Sequence, residues 1–411
     1  MKIGPTALLA LLAAGVATPV SAASPVPWPK AVRDFANPDE AVAVAGRFPN
    51  SAGMARRRLA AAVQAKDRAA AERVLKRLAA MGAVLSPAAQ AQVEPLVGRE
   101  AMAPIVARFA ANSAPIAASR LHATIPADRD LVEGVVWDPA GRRLYATTVV
   151  DRNLLEVKPG ATRIAASAGL GSLFGGAYDP AGRRLWIASA VVDETPRGEP
   201  VFTGLIGFDP KRPAGLRRVP LGPEAEGTPG DVAAARDGTV YASDGLNGAL
   251  YRCKPGCRRL ETLLPAGTFF SAQGLALSAD QKRLYVADRR YGLAALDRAT
   301  GRLLQVTGGD DVMLDGIDGL AAHRGDLVAL QTAYPPARIV RLRLSSDGLR
   351  VAKLDVLERA HPEWGEITLG TVAGDRLLYV ASAQWGRYGK GGEVKGDAPP
   401  EPTSIRSLKL R

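Results

Sequence analysis

The sequence predicts a mainly β protein, a six-bladed β-propeller preceded by a small α-helical N-terminal region. Three observations predict it. The hydrophobic period switches from helical to strand-like near residue 119, a seven-residue run occurs twice in identical form, and the unit containing it returns every 41 to 55 residues. Length and composition agree with this. The 411 residues are 47% hydrophobic and 23% charged, which excludes a small stapled scaffold and wholesale disorder. Only 5% are aromatic, whereas Gly numbers 43 and Pro 30, as a turn-dense fold requires.

Residues 1–22 read as a secretory signal. Met1-Lys2 gives the charged start, Ala7 to Ala17 an apolar run of 11 residues, and Val20-Ser21-Ala22 a small-residue cleavage site before Ala23. The mature chain is therefore expected in the periplasm or secreted. No uncharged stretch reaches the roughly 20 residues that would span a bilayer, so no transmembrane span is expected.

Residues 28–118 carry a helical pattern. Asn37-Pro38-Asp39-Glu40 supplies a cap, a proline at the first helical position and acids in the first turn, and Ser86-Pro87 offers a second start. Between them Leu59, Ala62 and Val63, then Ala71, Val74, Leu75 and Leu78, recur at spacings of three and four. This pattern gives two amphipathic helices joined near Lys66-Asp67. It is weakly tetratricopeptide-like, but a single copy builds no stacked groove, so the region reads chiefly as a helical domain packed on the main body. A protein partner bound through it is a further expectation.

Residues 119–411 carry the repeat. Glu133-Gly134-Val135-Val136-Trp137 and Phe174-Gly175-Gly176-Ala177-Tyr178 each lead into the run DPAGRRL, at residues 138–144 and 179–185. The same apolar strand, polar turn and second strand return to Tyr241, Tyr285, Val328 and Tyr379. Six units of about four strands make a propeller. The last unit lacks an outer strand, and Leu121 to Ile125 is positioned to supply it, which would remove an exposed edge.

Antiparallel neighbours place the starts of first strands and the ends of second strands on one face. Glu133, Phe174, Gly230-Asp231, Gln273 and Asp318 should therefore meet at one mouth of the channel, with Asp244 and Asp288 nearby. The basic tips Arg142-Arg143, Arg183-Arg184 and Lys282-Arg283 should point from the other face. Clustered oxygen donors suit a hard cation, which could polarise an ester or lactone carbonyl while a carboxylate activates water. The insertions Val191 to Val201 and Trp385 to Thr403 should shape the channel rim.

The two cysteines, in Cys253-Lys254-Pro255-Gly256-Cys257, flank a tight-turn dipeptide between strand-like residues. They either staple a hairpin tip, as an oxidising compartment allows, or remain two thiols. Histidines 122, 323 and 361 are scattered singly, so no four-ligand structural zinc site is legible. The excess of 53 Lys and Arg over 41 Asp and Glu lies on tips and helices without aromatic interleaving, so nucleic-acid binding is not expected. The nucleophile elbow G-x-S-x-G and the helix motif H-E-x-x-H are both absent from the sequence.

Glu133 to Asp138, Pro229 to Val232, Gln273 to Ser278 leading to Leu284 to Asp288, Asp318-Gly319-Leu320 and Leu378 to Ala383 resemble motifs of the regucalcin/gluconolactonase and luciferin-regenerating-enzyme-like (senescence marker protein type) family, over about residues 120–411. That resemblance implies a propeller with a divalent cation in its channel, calcium ahead of magnesium, manganese or zinc, and hydrolysis of lactones or related esters. It places metal ligands at Glu133, Gln273 and Asp318, the general base at Asp318 and a substrate-contacting acid at Asp231. Two departures stand out: the family's asparagines fall on Gln273 and on Gly230, which has no side chain to offer. The expected function is thus an exported metal-dependent lactonase. The alternative is a non-catalytic propeller that binds a ligand or a protein partner.

Overall fold

The computed structural model describes residues 25–158, 161–167, 169–198, 201–223 and 226–410. The secretory-signal reading of residues 1–22 lies outside them. No described helix is long and apolar enough to cross a membrane.

Six sheets follow one another along the chain. Blades I to V start with the strands Val132–Asp138, Ser172–Asp179, Pro229–Ala234, Ala272–Leu277 and Ile317–His323, and each runs outward through consecutive antiparallel neighbours, blade V adding the short parallel strand Thr307–Gly308 at its outer edge. Blade VI is composite. Its inner strands Gly370–Ala373 and Arg376–Val380 are followed by Thr403–Lys409, and the outermost place is taken by Arg120–Ile125, with Arg120 opposite Ser407. The strand expected to close the ring does so.

The repeated DPAGRRL run forms the first hairpin of blades I and II. Asp138 Oδ1 accepts from the N–H groups of Ala140 and Gly141 at 3.1 Å, and Asp179 Oδ1 does the same for Ala181 and Gly182 at 2.9 Å. This Asx turn lets Arg142 and Arg183 adopt left-handed φ values of 52° and 50° without being glycine. Between neighbouring blades the facing surfaces pack as hydrophobic clusters. Val136, Tyr145 and Leu154 of blade I meet Leu173, Ile187, Ile206 and Phe208 of blade II, and comparable clusters join each blade to the next around the ring.

Five helices precede the strands: α1 (Pro38–Arg47), α2 (Ala52–Gln64), α3 (Arg68–Ala80), α4 (Pro87–Val97) and α5 (Arg99–Ser113). Asn37, Ser51, Asp67 and Ser86 cap the first four by accepting an N–H in the first turn. The predicted α2–α3 hairpin turns at residues 65–67. Its apolar faces are spent on α4, α5 and Met313 of the propeller, which leaves no stacked groove.

Two anchors fix this region to the ring. Residues 26–28 lie along the outer edge of blade IV, with Gln305 N–H donating to Val26 O and Trp28 N–H to Leu303 O, and Trp28 buries between Phe48 and Phe269. The second anchor is a buried carboxylate. Asp315, just before blade V, accepts from Ser51 Oγ and from the N–H groups of Ala52 and Gly53 at 2.8–2.9 Å, so a propeller side chain caps α2. Arg338, also buried, donates to Met81 O and to Gln331 Oε1, and burial pulls its pKa down to about 10.

Cys253 and Cys257 form a disulfide across the blade III hairpin tip, which decides between the two sequence alternatives.

Candidate functional site

A cavity of about 790 Å³ opens at the channel mouth, and Glu133, Gly230, Asp231, Gln273 and Asp318 all line it. The first-strand starts therefore converge as the repeat required. Both predicted rim insertions contribute: Val191 to Glu194 and Trp385 form part of the wall, and Gly391 N–H bonds Asp193 O at 2.6 Å, tying one insertion to the other.

Each predicted residue has a definite partner. Glu133 Oε2 accepts from the Trp385 indole Nε1 at 2.6 Å. Gln273 Nε2 donates to Ser271 Oγ at 2.8 Å. Asp318 is ion-paired with Arg289, whose guanidinium is 43% exposed against 15% for the carboxylate. Asp231 lies in the wall, but its Oδ2 accepts from Leu275 N–H at 2.9 Å, which ties blade III to blade IV. Gly230 leaves room for a Cβ, which would meet Ser243 O and Oγ at 3.9 Å.

Two acids that the sequence placed near the mouth serve the backbone instead. Asp244 is fully buried and accepts from Thr228, Leu246 and Asn247 N–H and from the Tyr251 hydroxyl. Asp288, also fully buried, accepts from Phe270, Arg290 and Tyr291 N–H. Second-strand ends meet turns here, and orphan N–H groups claim the carboxylates before the channel can.

The sequence does not single out the charged wall residues Arg289 and Glu366, and it marks Trp385 only as the start of a rim insertion. Arg289 belongs to the run Asp288-Arg289-Arg290, which looks like ordinary turn polarity. Its backbone is held by Ser271 O on one side and Gly316 N–H on the other, so it sits between blades IV and V at the channel. Glu366 accepts the Trp385 N–H at 2.6 Å and adds negative charge beside Glu133 and Asp318.

Burial sets the proton chemistry. It pushes the Glu133 carboxyl up to about 8, against the indole N–H that holds it down, and the neighbouring Asp318 and Glu366 charges push the same way. Burial raises Asp318 to about 6, the Arg289 guanidinium opposing it. At neutral pH the cavity thus holds a protonated Glu133, an ionised Asp318 and a fixed cation. Trp385 should report this. Indole emission is expected to change with a midpoint near pH 8 in the wild type and to lose that transition in Glu133→Gln. Because the folded pKa lies above that of the unfolded chain, the unfolding free energy contributed by Glu133 falls as pH rises from about 4.5 to 8.

Among the described residues no three His, Cys, Asp or Glu side chains gather as a ligand set for an ion. The donor chemistry explains why. Arg289 already neutralises Asp318, and the Trp385 indole takes one oxygen of Glu133. The residues as arranged do not fit a divalent cation, and the positive charge at this mouth is the guanidinium.

No protein-family model matches the chain, and no curated protein matches it. Solved structures that resemble it include a gluconolactonase from Xanthomonas campestris (18% identity, 72% of this chain and 96% of that one, TM-score 0.49). Another is the calcium-binding protein regucalcin from Agrobacterium tumefaciens (17%, 71% and 96%, 0.49). A third is a PQQ-bound aldose sugar dehydrogenase from Streptomyces coelicolor (16%, 72% and 99%, 0.46). Fold likeness does not fix activity, which has to be argued from the site.

Proposed function

We propose that the protein hydrolyses a lactone or related ester in the channel cavity. The observation that carries this reading is the meeting of Glu133, Asp318 and Arg289 in one cavity: a neutral carboxyl, a carboxylate and a cation. Asp318 would accept a proton from water as the water oxygen bonds the carbonyl carbon, and the carbonyl π pair would move to its oxygen. Arg289 and the Glu133 proton would stabilise that oxyanion. Collapse would then break the ring C–O bond, and the leaving alkoxide would take a proton from Glu133, giving a hydroxy acid.

The test is a pH-stat assay on a panel of aldonolactones, run on protein treated with a chelator and on protein supplied with calcium. Turnover in both supports the reading. Turnover only with calcium would restore the metal-dependent form, and none in either would remove hydrolysis. A second reading, ligand binding without turnover, is favoured by the Asp318–Arg289 pair, which engages the base before any water does. Saturable calorimetric binding of a lactone that is recovered intact would select it. Export, with cleavage before Ala23, is part of the proposal, and N-terminal sequencing of the mature protein checks it.

A further inference from the structure

A second concavity, of about 550 Å³, lies where the helical region meets blade IV. Its wall includes Arg33, Asp34 and Phe35 from the segment before α1, Arg57 from α2, and Arg290 from the propeller. Each of the three guanidiniums lies over an aromatic ring. Arg290 lies 3.3 Å from the centre of the Phe270 ring, with Arg33 at 5.9 Å from the same ring, and Arg57 lies 4.6 Å from the Phe35 ring. Backbone carbonyls fix two of them further: Arg290 Nη1 donates to Arg33 O at 2.7 Å and Arg33 Nη2 to Leu246 O at 2.8 Å.

Among the described residues the ion pairs formed by arginine engage other guanidiniums, and none of these three has a carboxylate at ion-pair distance. Asp34, the one carboxylate in the wall, is exposed and pairs with none of them. Three cations sharing a cleft with one acid repel one another, and an anion relieves that repulsion. A guanidinium over a ring keeps N–H edges to donate. Several such edges approaching from different elements match a tetrahedral oxyanion better than a flat carboxylate.

We propose that this cleft binds the phosphate group of a small molecule, through Arg33, Arg57 and Arg290. The site is separate from the channel, although Arg290 directly follows the channel residue Arg289.

The test uses the full mature chain, titrated calorimetrically with inorganic phosphate and with pyrophosphate at constant ionic strength, with chloride as reference. Saturable one-to-one binding is expected, tighter for pyrophosphate, with a rise in melting temperature. Arg57→Gln should weaken binding about tenfold or more, since it removes charge-assisted donors. Arg57 is exposed and has no backbone hydrogen bond among those described, so this variant should melt as the wild type does without phosphate. Lys211→Gln, an exposed charge on blade II, should bind as the wild type does. The proposal is overturned if neither anion binds saturably, if Lys211→Gln weakens binding as much as Arg57→Gln, or if only phosphatidylglycerol vesicles bind.

Discussion

An Asp318→Asn variant is expected to lose about a hundredfold or more in lactone turnover, the usual contribution of a positioned general base. The loss should fall on kcat rather than KM, because the amide keeps the size of the side chain and its place beside Arg289 while losing the ability to take a proton. Folding should survive. The Arg289 guanidinium is 43% exposed, so water can replace much of what the lost pairing gave it. The wild-type pH profile supplies an independent check. Activity should rise as pH passes about 6, where Asp318 ionises, and fall past about 8, where Glu133 gives up the proton that the leaving oxygen needs. A bell lying between those limits fits the two-carboxyl scheme, and a profile flat from pH 5 to 9 contradicts it.

The second large effect is structural. Asp315→Ala should destabilise the docking of the helical region by about 2–4 kcal/mol, because it strands two backbone N–H donors that the carboxylate now satisfies, while the Ser51 hydroxyl keeps Arg290 O as an acceptor at 2.8 Å. Asp315→Asn keeps an acceptor oxygen and should lose less. Urea titration followed at 222 nm would show the helical signal melting earlier in the alanine variant. Limited proteolysis should then cut between α5 and the strand Arg120–Ile125 before the propeller is attacked. Coincident melting of helices and propeller at wild-type urea concentrations would show that the cap contributes nothing to docking.

The ring was legible in the sequence because its signals are local and repeated. An aspartate that binds two N–H groups of its own turn leaves the same mark each time, and the capping residues Asn37, Ser51, Asp67 and Ser86 act within three residues of themselves. The convergence of Glu133, Gln273 and Asp318 followed from strand direction alone. What the sequence could not yield are contacts between distant positions. Trp385 reaches Glu133 across 252 positions, and Arg289 looks like any turn arginine until blades IV and V hold its backbone at the channel. Asp244 and Asp288 show the converse error. An acid at a strand end looks like part of the channel mouth, but unpaired N–H groups in its own loop have first claim on it.

The closure of blade VI also sets an order in time. Arg120–Ile125 can find its neighbour only when Thr403–Lys409 has been synthesised, nearly 300 residues later. Until then blade VI lacks two of its four strands and the inner faces of blades I and V have no finished neighbour. The nascent chain must wait with those apolar faces uncovered until Thr403–Lys409 arrives to complete the ring.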